Sequence, residues 1–313
     1  MRAATIVDGA LEWSEHPDPV PGAGELLVEV KAAGLNAGDL LQLAGFYPAP
    51  PGSPPDIPGL EMAGEVVGLG PGTSRFSVGD RVMAVVGGGA QAELSVVHER
   101  CALSVPDGLD WAAAGGFPEA FTTAHDAVFT QAELGLGETL LVHGAAGGVG
   151  VAAVQLGTAA GARVIATVRN PELRERVAAL GATVVEPEAF GAHGPFDVVL
   201  ELIGGPNMAE DIRSLATGGR IAVIGVGAGP KAEISLLDLM TKRGRIHGST
   251  LRARPIEQKA QAAAAIERHV LPLVDRGRIA VPVEAEFPLS EAAAAYEHFR
   301  AGGKFGKVVL TAR

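Results

Sequence analysis

The chain has 313 residues, 47% hydrophobic and 19% charged. That is enough apolar sequence for two domains at roughly 100–200 residues each, and it excludes global disorder. The formal net charge of −11 argues against nucleic acid or an anionic membrane as partner, although one or two local arginines can still hold a small phosphate.

The single cysteine, Cys101, excludes an internal disulfide and a cysteine-based structural zinc site. No run reaches the roughly 18 apolar residues that span a bilayer, and the start of the chain lacks a cleavage signal, so cytoplasmic residence is expected.

Short β-branched runs dominate the first part of the chain. Glu25–Ala32, Gly64–Leu69, Arg81–Val86 and Ala92–Val97 read as strands, separated by turn signals such as Pro21-Gly22 and Pro71-Gly72. This is a barrel-like pattern. The texture changes after Phe117, where Phe121–Gln131 is helix-compatible. Strand and helix then alternate: Thr139–His143, Val149–Ala160, Arg163–Val168, Glu172–Leu180, Thr183–Val185, Phe196–Glu201, Met208–Ala216 and Arg220–Ile224. Strands apolar throughout, each followed by a helix, predict a parallel sheet covered on both faces. Ile256–Val274 reads as one long Ala-rich packing helix, Ser290–Phe299 as a Ser-capped helix and Lys307–Leu310 as a strand. The last forty or so residues are expected to rejoin the first domain.

The strongest motif is Gly144-Ala145-Ala146-Gly147-Gly148-Val149-Gly150, set between a buried strand and a helix. Gly147 and Gly148 let the backbone approach a pyrophosphate, Gly150 lets the helix pack close, and the helix N-terminus holds the negative charge. The preceding strand and the α/β alternation supply the context that a bare glycine triad lacks. The next strand ends Thr167-Val168-Arg169-Asn170, with Arg174 further on and no carboxylate where one would accept ribose hydroxyls. A guanidinium there suits a 2′-phosphate, so NADPH is the expected cofactor. Arg174 reads equally well as a solvated helix charge.

With these residues in place, the chain resembles the medium-chain dehydrogenase/reductase superfamily, and within it the zinc-free quinone oxidoreductase branch. The resemblance rests on Gly34–Asp39, Gly45–Pro48, Pro58–Gly64, Val78–Val82, Phe117–Ala124 and Lys304–Leu310. Gly87–Glu93 and Gly248–Arg254 resemble the subgroup whose vertebrate member is induced by the tumour-suppressor response. The resemblance implies an α/β fold: a doubly wound parallel-sheet Rossmann domain plus a GroES-like partly open β-barrel domain. Residues 1–117 with 268–313 would form the GroES-like substrate domain and residues 118–267 the NADPH-binding domain.

Zinc members of the superfamily carry a ligand Cys near Asn36 and a ligand His at the position of Leu60. Neither residue here completes the three-ligand set of a catalytic zinc. His98, His125, His193 and His269 show no paired ligand spacing, so no metal is expected. His143, beside the glycine loop, is either a support beneath the cofactor or a packing residue.

Without a metal to polarise an alcohol, the chemistry suggested is hydride transfer from NADPH to an electron-poor acceptor, a quinone or an α,β-unsaturated carbonyl. Tyr47 is the candidate donor to the acceptor oxygen, the alternative being a loop aromatic without chemistry. Asn36 is the second catalytic candidate, positioning the carbonyl or the nicotinamide amide, or else a turn-forming Asn. Asp39 is expected to be structural and Glu61 a packed remnant of the zinc-site motif. By resemblance, Thr123 contacts the nicotinamide ribose region. Ile203 and Gly204 follow a strand end over the adenosine, Gly225, Val226 and Gly227 pass near the nicotinamide, and Lys304 and Lys307 face the cofactor groove or solvent.

Two rival readings are a free-standing enoyl-thioester reductase and a non-catalytic NADPH-binding protein. By analogy with relatives, a homodimer would form along Ile221–Val226 and Gly244–Thr250.

Overall fold

The computed structural model describes residues 1–312; Arg313, the last residue of the expected returning segment, lies outside them. The chain opens with strands β1 (Arg2–Val7), β2 (Ala10–Glu15) and β3 (Glu25–Gly34), then helix α1 (Ala37–Leu43). Strands β4 (Glu61–Leu69), β5 (Arg81–Val85), β6 (Leu94–His98) and β7 (Ala102–Ser104) follow, then α2 (Trp111–Gly116) and α3 (Pro118–His125). Alternation begins with β8 (Thr139–Val142), α4 (Gly148–Ala159), β9 (Arg163–Thr167), α5 (Arg174–Ala178) and β10 (Thr183–Val185). It continues with β11 (Phe196–Glu201), α6 (Met208–Arg213), β12 (Leu215–Val223), α7 (Leu236–Lys242) and β13 (Arg245–Gly248). The last elements are α8 (Ile256–His269), α9 (Leu271–Asp275), β14 (Val283–Pro288), α10 (Ala292–Ala301) and β15 (Lys307–Thr311).

Two compact units divide the chain: Met1–Thr122 with the segment from Leu251 onward, and Thr123–Thr250. The first holds a sheet of order β14-β15-β3-β4-β5-β7, with β6 also on β3. Strand β3 alternates Leu26, Val28 and Val30 inward with Glu29 outward, as a half-buried strand must. Its first half pairs with β6 and its second half with β15, so one strand edge serves two neighbours and the sheet curves toward a barrel. Leu26, Val28 and Val30 bury against Met62, Val66, Val82 and Val97. Each such side chain contributes about 1.5–3 kcal/mol over leaving it exposed.

The second unit is a six-stranded sheet of order β10-β9-β8-β11-β12-β13, parallel throughout. Leu140, Leu141, Val142, Val198, Val199 and Leu200 are all fully buried, which is why β8 and β11 read as continuous apolar runs. The chain runs outward from β8 to β9 and β10, then crosses back to β11. A topological switch point therefore lies at the carboxyl ends of β8 and β11, where such sheets bind ligands.

Several elements differ from the sequence expectation. The expected helix Ile256–Val274 breaks at Val270, because Pro272 lacks an amide hydrogen and starts a new helix, α9. The second passage between units falls at Leu251 rather than 268. Helix α8 packs on the turn Glu99–Cys101, and Arg100 and Arg75 of the first unit pair with its Glu257 and Glu267. Phe121–Gln131 is α-helical only to His125 and continues as a π-helix, Asp126–Gln131. Ser290 sits inside a 3-10 turn, Leu289–Glu291, and does not cap α10. Among the described residues no helix is long and apolar enough to cross a membrane.

Arg220 of β12 ties the start of β8 to the segment before it. Its guanidinium donates to Glu138 at 2.8 and 2.9 Å, to the carbonyls of Ala132 (2.7 Å) and Glu133 (2.6 Å), and to Asp197 O at 3.2 Å. The Arg220→Met variant leaves these acceptors without their donor, and breaking one side of a buried pair costs about 3–5 kcal/mol. Urea unfolding of the variant is expected to show that loss, and an unchanged midpoint would count against it.

Candidate functional site

Strand β8 stops at Val142 because the glycine run that follows cannot sustain a buried strand. The loop is fixed from both sides: the amide of His143 donates to Leu200 O (3.0 Å) and that of Ala145 to Thr167 O (3.2 Å). Helix α4 begins at Gly148 with Gly147 as its N-cap, and no side chain caps it. The first-turn amides therefore stay available to an anion, and the helix dipole favours one. Ala146, Gly147, Gly148 and Val149 are half-buried, whereas Gly150 is buried. A Cβ on Gly150 would lie 2.5 Å from Gly144 O and 2.6 Å from the Ala145 Cα, so only glycine allows α4 this close to the turn.

The ends of β11 and β12 line the same edge of the sheet. Ile203 and Gly204 donate their amides to Glu201 Oε1, Gly204 at 2.8 Å and in a left-handed backbone with φ +112°. A Cβ on Gly225 would meet Leu202 O at 2.3 Å, so the two loops touch through a position that accepts no side chain. Val226 is 44% exposed, and nothing lies within 4 Å of where a Cβ on Gly227 would stand.

The two arginines after β9 separate clearly. Arg174 is tethered, Nε to Val168 O (3.2 Å) and Nη1 to Glu186 (2.9 Å). Arg169 is exposed and has no ion pair or hydrogen bond among the described residues. Asn170 accepts from the Glu172 amide at 3.0 Å and so starts the 3-10 turn Pro171–Leu173. The Thr167 hydroxyl is buried and faces His143 Nδ1 at 3.1 Å. Its contribution to the loop is its carbonyl. These residues, with the uncapped helix and the glycine cradle, fit a dinucleotide phosphate. Thr123 is buried on α3.

Beneath this edge lies a polar cluster that sequence spacing gave only in part. His143 Nε2 is 2.8 Å from Asp211 Oδ1 and 3.9 Å from Glu201 Oε2, and all three residues are wholly buried. Glu201 also accepts from Asn207 Nδ2 at 2.9 Å, while Asp211 Oδ2 has no donor. Burial raises the pKa of Asp211 to about 6, pulled back by the His143 hydrogen bond and raised again by Glu201. Burial thus favours a protonated Asp211 below about pH 6.

In the first unit, Asn36 precedes α1 and its side chain turns inward. Asn36 Nδ2 donates to Glu61 Oε1 (2.8 Å) and Gly34 O (3.3 Å), and Oδ1 accepts from Lys307 Nζ at 2.7 Å. Both amide donors are thus engaged, which leaves Asn36 an anchoring role rather than the expected contact to a carbonyl. Lys307 Nζ also donates to Glu61 Oε1 (2.6 Å) and Leu35 O (2.8 Å), and Glu61 Oε2 accepts the Glu119 amide at 2.8 Å. Asp39 accepts the amides of Asn36 and Gly59. Burial pushes its pKa up to about 7 against those two bonds and Lys307.

This donor set does not fit a zinc ion. An ammonium already neutralises Glu61, Leu60 is a buried apolar side chain, and Asn36 has no free donor face.

Tyr47 lies half-buried in the loop after α1, its pKa raised by burial and by Glu119 and lowered by Arg252. Lys304 is held on Phe299, donating to its carbonyl at 3.1 Å with Nζ 3.7 Å from the ring centroid, so its ammonium is committed locally. Sequence reasoning did not single out Asp211 or Arg252, and gave Lys307 only as a groove or solvent residue. Each has another charged residue within three positions, so nothing in the sequence signals which charge turns inward.

A parallel dinucleotide-type sheet and a curved, mostly antiparallel sheet define a two-part nicotinamide-dependent oxidoreductase. The family description "Alcohol dehydrogenase GroES-like domain" matches residues 22–131, and "Zinc-binding dehydrogenase" matches residues 148–268. A quinone oxidoreductase of Rattus norvegicus is 32% identical over 307 residues, 93% of this chain and 90% of that protein. Erythronolide synthase EryA2 of Saccharopolyspora erythraea is 36% identical over 324 residues, 97% of this chain and 8% of that protein. A mycobacterial structure complexed with NADPH superposes with TM-score 0.87 at 27% identity, covering 99% of this chain and 100% of its own. The chain belongs to the medium-chain dehydrogenase/reductase superfamily, in its quinone oxidoreductase-like branch.

The Asp211 proton has a measurable consequence. A carboxyl whose folded pKa is raised adds stability that is full below its unfolded value near 3.8 and is lost as pH rises through about 6. Asp211→Asn keeps a neutral donor toward Glu201. Relative to wild type, it is expected to gain stability between pH 4 and pH 8 in urea unfolding. A constant difference across that range would place the proton elsewhere.

Proposed function

We propose that this protein is a zinc-independent NADPH:quinone oxidoreductase of the cytoplasm that reduces a quinone or an α,β-unsaturated carbonyl compound. The observation that carries the reading is the likeness to quinone oxidoreductases over nearly the whole chain. The guanidinium of Arg169, unpaired among the described residues, supports the choice of NADPH, as does the mycobacterial neighbour complexed with it.

When bound, NADPH supplies a hydride. The first-turn amides of α4 and the Gly144–Gly148 loop hold the pyrophosphate, and Arg169 holds the 2′-phosphate. Gly225 and Gly227 leave room for close approach of the ring. The Tyr47 phenol donates a hydrogen bond, and then a proton, to the acceptor oxygen as negative charge develops there. Asn36, fixed by Lys307 and Glu61, anchors the start of α1, whose far end leads into the Tyr47 loop. The Glu61–Lys307 pair leaves no Lewis acid to bind an alkoxide, which disfavours simple alcohol oxidation.

A second reading, reduction of an enoyl thioester, is favoured by the 36% identity to part of erythronolide synthase EryA2. Comparing 9,10-phenanthrenequinone with crotonyl-N-acetylcysteamine under NADPH separates the two. Turnover of the thioester alone overturns the quinone reading, and binding of NADPH with no turnover of either removes the enzymatic one.

Arg169→Glu is expected to lower the NADPH-to-NADH ratio of kcat/KM by roughly ten- to a hundredfold, the value of one charge-assisted contact at 1.4 kcal/mol per decade. An unchanged ratio would reassign the phosphate site.

The expected seam narrows to β13, because Ile221 of β12 is already paired with both β11 and β13, and a homodimer through the β13 edge belongs to the same proposal. Strand β13 pairs only with β12, and the neighbouring α7 exposes Leu236, Leu237 and Met240 at 66, 67 and 71%. Sedimentation velocity is expected to give a dimer for the wild type and a monomer for Leu237→Glu. A wild-type monomer at micromolar concentration refutes it.

A further inference from the structure

Two segments singled out in the sequence, Gly87–Glu93 and Gly248–Arg254, are not explained by cofactor binding. Both belong to the first unit from Leu251 on, and they meet at one side chain. Arg252 is only 3% exposed. Its Nε donates to Gly87 O at 2.7 Å, Nη1 to Tyr47 O at 2.7 Å and Nη2 to Gln42 Oε1 at 2.5 Å. The same guanidinium lies 4.9 Å from the Tyr47 ring centroid. A Cβ on Gly38 would come within 3.3 Å of Tyr47 Cε1, so α1 presents a bare backbone to the tyrosine. Gln42, on the same helix, uses its other end to hold Pro55 O at 3.2 Å.

The loop 44–59 is rich in Gly and Pro and has no secondary structure of its own beyond turns. Such a segment does not define the direction of a side chain by itself. A planar five-donor fork with three acceptors on three different segments does. Its position over the ring adds a cation–π attraction.

We propose that Arg252 is the positioning residue of the acceptor site: it clamps the Tyr47 loop to α1 and to the Gly87 turn, and so aims the phenol. This rests on the reading of Tyr47 as the donor. The charged and titratable groups acting on the pair are Glu119, Asp39 and Tyr296, all in the same unit.

A double-mutant cycle with NADPH and 9,10-phenanthrenequinone tests the coupling. Arg252→Met is expected to lower kcat/KM by roughly ten- to a hundredfold, the effect of a misplaced reacting group, while the NADPH Kd stays within about twofold. In the Tyr47→Phe background the same change is expected to cost less than about twofold, because nothing remains to be aimed. Losses that multiply in full, or no loss in the single variant, overturn the proposal. Should Arg252→Met not fold, Arg252→Lys is read by the same criteria. It keeps the charge but not the fork, so it is expected to recover only part of the activity.

An independent measurement keeps the two readings apart. The chain has two tyrosines, and Tyr296 is wholly buried, donates to Gln91 Oε1 at 2.9 Å and has its pKa raised well above the ordinary value. The first phenol to ionise in an absorbance titration therefore reports Tyr47. In Arg252→Met the midpoint is expected to fall toward that of a free tyrosine as the loop releases the ring into water. A midpoint that stays or rises means the ring is held without the arginine, and the proposal fails. If Tyr47→Phe is fully active but the midpoint falls, Arg252 still clamps the loop and the donor assignment alone is lost.

Discussion

The approach of helix α4 to the turn after β8 is the contact on which the rest of the cofactor edge depends. A single methyl at Gly150 would stand 2.5 Å from Gly144 O, so the helix reaches the sheet only because that position is empty. Its closeness brings uncapped amides to the carboxyl ends of the strands. The neighbouring loops are fitted to the same edge: Thr167 O receives the Ala145 amide, and Gly225 lies against Leu202 O. The anion site is thus a property of backbone packing, made by residues with almost no side chains.

Such a thin-walled edge needs support from below, and the support is polar. His143, Asp211, Glu201 and Thr167 form a buried set in which Glu201 fixes the Ile203–Gly204 turn through two amides. Buried charges are costly unless paired or neutralised. The raised pKa of Asp211 is the response to that cost: burial disfavours its charged form, and the His143 hydrogen bond offsets part of the penalty. The same logic governs the first unit, where Lys307, Asn36 and Glu61 satisfy one another. A site of this shape anchors a helix rather than binding a metal.

Local pattern carried the secondary structure where burial is uniform. Strands β8, β9 and β11 fall within a residue of their sequence readings at each end because their central residues are apolar and covered on both faces. The readings slipped where a single residue or a non-local contact decides. Pro272 broke the long Ala-rich helix, and Arg100 and Arg75 drew α8 into the first unit, contacts separated by more than 150 residues in sequence. Nothing in a window of ten or twenty residues reports on such pairs.

The sequence by itself determined the glycine cradle, the lack of a carboxylate after β9 and the apolar residue at the position of Leu60, because each is a matter of which atoms are present. It could not say which way polar side chains face. Only the tertiary structure decided that Asn36 points at Lys307 rather than outward, that Arg174 is held by Glu186 while Arg169 is free, and that Arg252 lies against Tyr47. The physical reason is common to all three. A long polar side chain has many rotamers, and the partner that selects one is brought near by the fold, not by the neighbouring sequence.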